Sequence, residues 1–200
     1  MATTSSNTVL LIAGSPSAPS RSSALLEAAG TRLALRGARI ERVSVRELPA
    51  QALLAADASH PALQRAADKL AQARAIVVAT PVYKAAYSGI LKAFLDLLPQ
   101  SALKAKTVLP LASGGSPHHM LALDYALRPV LQSLAARQIL AGVYATDAQV
   151  TLTPEGAYQL QPELAQRLDD SVQTLAIEAL QLPSLHAFEP VPFSQVRCSA

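Results

Sequence analysis

Tryptophan is missing from this sequence, aromatic residues make up 4% of it, and Cys198 is its single cysteine. One thiol can form neither an internal disulfide nor a thiolate metal cluster, so any redox chemistry would need a bound cofactor. Charged residues are sparse too, at 16%. The lysines and arginines are scattered without a run, which argues against a nucleic-acid tract although the formal charge is +3 and the pI about 9.2. An anionic small ligand suits this balance better. No stretch reaches about 18 uninterrupted apolar residues, and the opening MATTSSN has no basic or apolar segment of signal-peptide type. A soluble, cytoplasmic protein without a membrane partner is expected. Also lacking are the GxxxxGK[ST] phosphate loop and the GxGxxG dinucleotide turn, so neither ATP nor a tightly held NAD is favoured.

What is present is 200 residues, half of them apolar, enough for one substantial core. The reading is a flexible start at 1–7, one domain over 8–182, and a tail at 183–200. TVLLIA at 8–13 reads as a strand buried on both faces, and 21–36 as a helix that Gly37 stops. RIERVSV at 39–45 is a second strand. Residues 46–60 read as irregular, with a short turn at 49–55. Pro61 opens a helix to about Ala73, and AIVVAT at 75–80 is the third strand. A helix follows at 88–98, a fourth strand at 107–113, and a long helix at 117–137 in which Pro129 predicts a kink or break. Residues 138–147 give a fifth strand, 151–160 a small hairpin-like excursion, and 163–182 a last helix. This alternation predicts an α/β doubly wound, five-stranded parallel sheet, with strand order 2-1-3-4-5 preferred.

Ligands of such sheets bind beyond the carboxyl ends of the strands near the switch point, which selects loops 14–21, 81–88 and 113–119. The first, GSPSAPSRSS, offers Ser15, Ser20, Arg21, Ser22 and Ser23 at a helix start, a fitting cradle for a phosphate monoester. The same serines would also serve as ordinary helix caps. In the second, TPVYKAAYSG, Tyr83, Ser88 and Gly89 could line a flat heteroaromatic ring and Lys84 could meet an anion. A surface turn with two half-buried tyrosines is the plainer alternative. In the third, ASGGSPHHM, Gly114 and Gly115 allow backbone N–H groups to face a ring. The adjacent His118 and His119 point in different directions and have no chelating partner nearby, so no metal is expected.

Together, GSPxxxSRSS at 14–23, ATPVYKAAYSGxLKxxLDLLP at 79–99, LPLAxGG at 109–115 and HxLAxDYALxPVL at 119–131 closely resemble one group of proteins. They are the NAD(P)H-dependent FMN reductases of two-component alkanesulfonate monooxygenase systems, within the flavodoxin-like NADPH-dependent FMN reductase family. The resemblance runs from about residue 8 to 150. It implies a reductase that takes hydride from NADPH or NADH and passes reduced FMN to a partner flavin-dependent alkanesulfonate monooxygenase under sulfur limitation. By matching positions, Ser15, Ser20, Arg21, Ser22 and Ser23 would hold the FMN phosphate. Pro81, Val82, Tyr83 and Lys84 would line the isoalloxazine and ribityl chain, and Ser113, Gly114 and Gly115 would meet the pyrimidine edge. Hydride passes directly between rings, so no side chain need transfer a proton. Family members often carry arginine after GSP; here that residue is Ser17, which shifts the burden of phosphate binding to Arg21. Tyr125 matches a tyrosine that, in the sulfonate-system reductases, sits in a π-helical insertion at the tetramer interface and is linked to FMN release. An ordinary core or interface aromatic is the alternative.

A homo-oligomer, dimer or tetramer, is expected from the family and from the apolar helices 88–98 and 117–137. The runner-up function is a quinone or azo reductase retaining FMN as a prosthetic group. The scarcity of aromatics favours exchangeable FMN instead. A one-electron flavodoxin carrier is a third reading; the basic charge and the absence of a threonine-rich phosphate loop argue against it.

Overall fold

The first strand, β1 (Thr8–Ala13), sends Leu10 and Ile12 into one apolar layer and Val9 and Leu11 into another. Alternate side chains of a strand leave opposite faces, so a continuous apolar run requires cover on both sides. The computed structural model describes residues 7–153 and 157–180. The expected tail at 183–200, the start at 1–7 except Asn7, and the last two residues of the expected final helix lie outside the described residues.

Helix α1 (Arg21–Leu35) is capped by Ser20 and ends in a Schellman turn. There Ala38 N–H reaches Leu33 O, Gly37 N–H reaches Ala34 O, and Gly37 takes φ +92°. Leu25, Leu26 and Leu33 of α1 are buried against the sheet, each worth roughly 1.5–3 kcal/mol of apolar transfer. Strand β2 (Arg39–Ser44) forms the edge. The stretch read as irregular contains a 3₁₀ turn at Val45–Glu47 and a short α2 (Ala50–Leu54), close to the turn expected at 49–55. Pro61 opens α3 (Pro61–Gln72), with His60 Nδ1 accepting from Ala62 N–H at 3.2 Å.

Strand β3 (Ala75–Tyr83) runs three residues past its expected end because Val82 and Tyr83 pair antiparallel with β4 (Ala86–Tyr87). The two-residue connection, Lys84 and Ala85, has φ values of 50° and 64°, the left-handed geometry of a type I′ hairpin. Neither residue favours it. Replacing the pair by Asn-Gly is expected to raise stability by about 1 kcal/mol, seen as a higher urea midpoint with unchanged slope.

Helix α4 (Gly89–Leu95) starts after Ser88 and is followed by β5 (Thr107–Gly114), buried throughout. The single helix expected at 117–137 is instead three pieces: a 3₁₀ segment at Pro117–Leu121, a π-helix at Leu123–Leu127, and α5 (Arg128–Ser133). Pro129 explains the division. Lacking an N–H, it is excluded from a helix interior but tolerated in a first turn, and here it follows the π-turn that Arg128 N–H closes onto Leu123 O.

The fifth strand is likewise split, into β6 (Gln138–Ile139) and β7 (Val143–Thr146), both pairing with β5. Leu140 N–H donates to Val108 O on that side of β5, so by strand period Pro110 faces the same side, where it has no N–H to offer. The ladder lapses opposite it and resumes at Leu111. Strands β8 (Val150–Leu152) and β9 (Tyr158–Leu160) form the expected antiparallel excursion. Helix α6 (Pro162–Leu175) continues as a π-turn at Ala176–Leu180.

The parallel sheet has the order β2-β1-β3-β5-β6, with β7 continuing β6 along β5. Counted as five strands, this is the expected 2-1-3-4-5 order. The layer holding α1 and α6 buries Val77, Leu109 and Leu111; the opposite layer, with α3, α4 and α5, buries Ile76, Val78 and Val108. Among the described residues, no helix is long and apolar enough to cross a membrane.

Candidate active site at the sheet switch point

The carboxyl ends of β1, β3 and β5 stand in register, Ala13 beside Ala79 and Pro81 beside Ser113. From β1 the chain turns outward to β2 on one side, while β3 lies on the other, and the diverging loops leave a crevice there. It is a cleft of about 240 Å³.

At one end the start of α1 faces the cleft. Ser20 Oγ accepts from Ser23 N–H at 3.4 Å and hydrogen-bonds Ser22 Oγ at 3.0 Å, and Ala24 N–H reaches Ser20 O. The amides of Arg21 and Ser22 therefore have no acceptor within the helix, and the first turn contains no acid. This is an anion-attracting end. Ser15 is 2% exposed, and its Oγ accepts from Ser17 N–H at 3.2 Å, shaping the loop that closes the cradle. Arg21 donates through Nε to Val150 O at 3.1 Å, and its Nη1 lies 3.8 Å from Asp147 Oδ2.

At the other end Ser113 and Gly114 are buried and Gly115 is exposed. Among the described residues a Cβ on Gly115 would meet only Asp147 Oδ2, at 3.7 Å, so the backbone there is open to close approach. A Cβ on Gly114 would sit 2.6 Å from Tyr144 Oη and 3.3 Å from Val82 Cβ. Only glycine lets these two strands and Tyr144 close together behind the cleft. Burial first, and the charge of Asp147 second, raise the Tyr144 phenol above its ordinary 10.0, and its proton is donated to Ser116 O at 2.6 Å.

Between the two ends, Ser88 ties the loops together. Its Oγ donates to Gly14 O and accepts from Leu91 N–H, while its own N–H donates to Thr80 Oγ1 at 2.9 Å. Ser88 is thus a buried clamp and helix cap, not the ring-edge contact considered from sequence.

Of the residues picked from sequence, Ser15, Ser20, Arg21, Pro81, Val82, Tyr83, Ser113, Gly114 and Gly115 line the cleft. Ser22 and Ser23 stand just behind it as hydrogen-bond partners of Ser20. Lys84 is outside the lining, on the exposed hairpin turn, and Tyr125 is outside it as well, 79% exposed on the π-helix that packs against β4. His118 and His119 are exposed on the 3₁₀ segment. Among the described residues no three His, Cys, Asp or Glu side chains could share a metal ion. Pro19, Asp147 and Tyr158 also line the cleft and escaped the sequence reading, as did the part taken by Ser17. Asp147 follows the fifth strand directly, so the carboxyl-end rule that selected the other loops could have found it. Nothing in the sequence marks Tyr158. A larger hollow of about 420 Å³, lined from 67–71 and 98–106, shares no residue with this site. Lys106 there is engaged with the carbonyls of Ala71 and Ala73.

A flavodoxin-like sheet, with an anion cradle at one end of its switch-point cleft and an open glycine floor at the other, defines a mononucleotide-binding α/β protein. The family model for NADPH-dependent FMN reductase matches residues 7–151. An Escherichia coli (strain K12) protein named FMN reductase (NADPH) is 48% identical over 83% of this chain and 86% of its own length. A Pseudomonas putida protein of the same name is 47% identical over 88% and 89%. The crystal structure of an NADH:FMN oxidoreductase in its apo form superposes with a TM-score of 0.77 at 36% identity, over 94% of this chain and 99% of that one. The chain belongs to the NADPH-dependent FMN reductase family.

Proposed function

We propose that this NAD(P)H-dependent FMN reductase uses FMN as an exchangeable substrate and delivers FMNH2 to a partner flavin-dependent monooxygenase that desulfonates alkanesulfonates. The observation that carries exchange is the lack of an aromatic sandwich among the described residues of the cleft. Its aromatic side chains are Tyr83, half exposed, and Tyr158, and a ring held without stacking on both faces leaves readily. The sulfonate role rests on the DYALRP motif and on Tyr125 lying in a π-helix, as in the sulfonate-system reductases it resembles.

When bound, the flavin supplies the ring that accepts hydride from NADPH or NADH. The chain's part is to hold and orient. In this reading Ser15, Ser20 and Arg21 hold the phosphate, with Ser22 and Ser23 orienting the Ser20 hydroxyl. Pro81, Val82 and Tyr83 border the ring and ribityl chain, Lys84 stands outside the cleft on the adjoining turn, and Ser113, Gly114 and Gly115 present backbone to the pyrimidine edge. Met120, Leu121 and Tyr125 expose apolar surface on consecutive segments, which supports a homo-oligomer formed through this face. Light scattering that returned a monomer with and without FMN would refute it. A cytoplasmic location fits a partner that consumes free reduced flavin.

The test is NADPH oxidation by extensively desalted protein, with and without FMN, and with a quinone as comparison acceptor. A colourless enzyme with saturable dependence on added FMN is expected. A yellow protein that needs no FMN and turns over the quinone would replace this reading with a retained prosthetic group. Tyr125→Ala is expected to hold FMN more firmly and slow turnover of free flavin; unchanged flavin content and rate would remove Tyr125 from release.

A further inference from the structure

Among the described residues the cleft lining contains one cation, Arg21, and one anion, Asp147, facing each other at 3.8 Å. That distance is an ion pair without a hydrogen bond. Both side chains are close to half exposed, so the contact is weak and replaceable. Asp147 is nonetheless fixed in place. Gly114 pairs with Thr146, which sets the next residue beside Gly115, and the turn at Asp147–Gln149 is held by a capping box in which Thr146 N–H donates to Gln149 Oε1 at 3.0 Å. Arg21 is fixed as well, through Nε to Val150 O at the far end of the same turn. Its Nη groups are left for an incoming ligand, with a carboxylate already competing for them.

We propose that Asp147 sets the affinity for the flavin phosphate by competing with it for Arg21, so that FMN is held weakly at its phosphate end and can leave after each turnover. This rests on the reading above that the phosphate lies in the serine–arginine cradle. A phosphate monoester carries about two negative charges near neutral pH. It takes the Arg21 guanidinium from Asp147 and leaves that carboxylate as an unpaired like charge nearby. The loss falls on phosphorylated flavin alone. Riboflavin has the same ring and ribityl chain but no phosphate, so Asp147 lowers the preference for FMN over riboflavin. Ser17, also in the lining, adds no compensating cation.

The experiment is flavin-fluorescence titration of the full chain with FMN and with riboflavin, for the unaltered protein, Asp147→Asn, Arg21→Ala and the double variant, at low and moderate salt. Asp147→Asn is expected to tighten FMN about three- to tenfold, less at higher salt, with riboflavin unchanged. In the Arg21→Ala background, where FMN is already weakened relative to riboflavin, the Asn substitution should change FMN affinity by a different factor, since the two residues act on one phosphate. If Asp147→Asn leaves FMN unchanged, or shifts FMN and riboflavin alike, while Arg21→Ala still weakens FMN selectively, the competition is refuted and the cradle stands. If Arg21→Ala weakens both flavins equally or neither, the placement of the phosphate fails, and the competition with it.

Discussion

Ser88→Ala is expected to lower the melting temperature by roughly 5–15 °C and to raise the KM for FMN. The hydroxyl is buried and serves two partners, donating to Gly14 O at the end of β1 and accepting from Leu91 N–H in the first turn of α4. Loss of a helix cap costs about 1 kcal/mol, and a buried carbonyl left without its donor about 1–3 kcal/mol more. In a chain of this size each kcal/mol is worth about 2–4 °C. The effect on FMN follows from position: the same hydrogen bond holds the loop proposed to take the phosphate against the loop proposed to border the ring. Ser88 N–H on Thr80 Oγ1 continues this clamp. A melting temperature within about 2 °C of the unaltered protein would show that the clamp contributes nothing.

Gly114→Ala is the second large effect, and Tyr144→Phe should partly reverse it. The new methyl would lie 2.6 Å from Tyr144 Oη, so either the phenol gives up its bond to Ser116 O or β5 moves away from Val82. Overpacking of this kind costs about 1–3 kcal/mol. Displacing the β5 end also disturbs the proposed pyrimidine edge, and a shift of about 1 Å there is enough to raise the KM for FMN tenfold or more. Tyr144→Phe deletes the colliding oxygen. The double variant should therefore be more stable than the sum of the two single changes predicts, by at least about 0.5 kcal/mol in urea unfolding. Strict additivity would place the strain elsewhere.

Much of this arrangement was legible in advance because its causes are local. The apolar runs of β1, β3 and β5, the Gly37 stop after α1 and the Pro61 start of α3 each follow from one residue type or one period. So did the three loops, once the alternation of strands and helices pointed to a doubly wound sheet. The helix expected at 117–137 is divided next to Pro129, where a kink or break was expected, and the π-helix at Tyr125 was an expectation of the resemblance alone. Sequence can say that proline interrupts a helix, but whether the chain answers with a kink or with a π-turn depends on what must be packed, here Leu123 and Leu127 in the core and Tyr125 outward. The split of the fifth strand was hidden for a similar reason, since its cause, Pro110, lies about thirty residues away on a neighbouring strand.

Taken by itself, the sequence determined the main strands, the three loops, the adjacent glycines and the serine–arginine stretch at a helix start, because periodicity, capping and turn chemistry act over a few residues; the strand order was a preference that the crossover rule narrowed. Only the tertiary structure decided that Ser88 faces inward as a clamp and that Tyr158 reaches the cleft from β9. It likewise set Asp147 opposite Arg21, 126 positions earlier in the chain. Those placements depend on the register between strands and on which loops share an edge of the sheet, and contacts of that range leave no pattern along the chain.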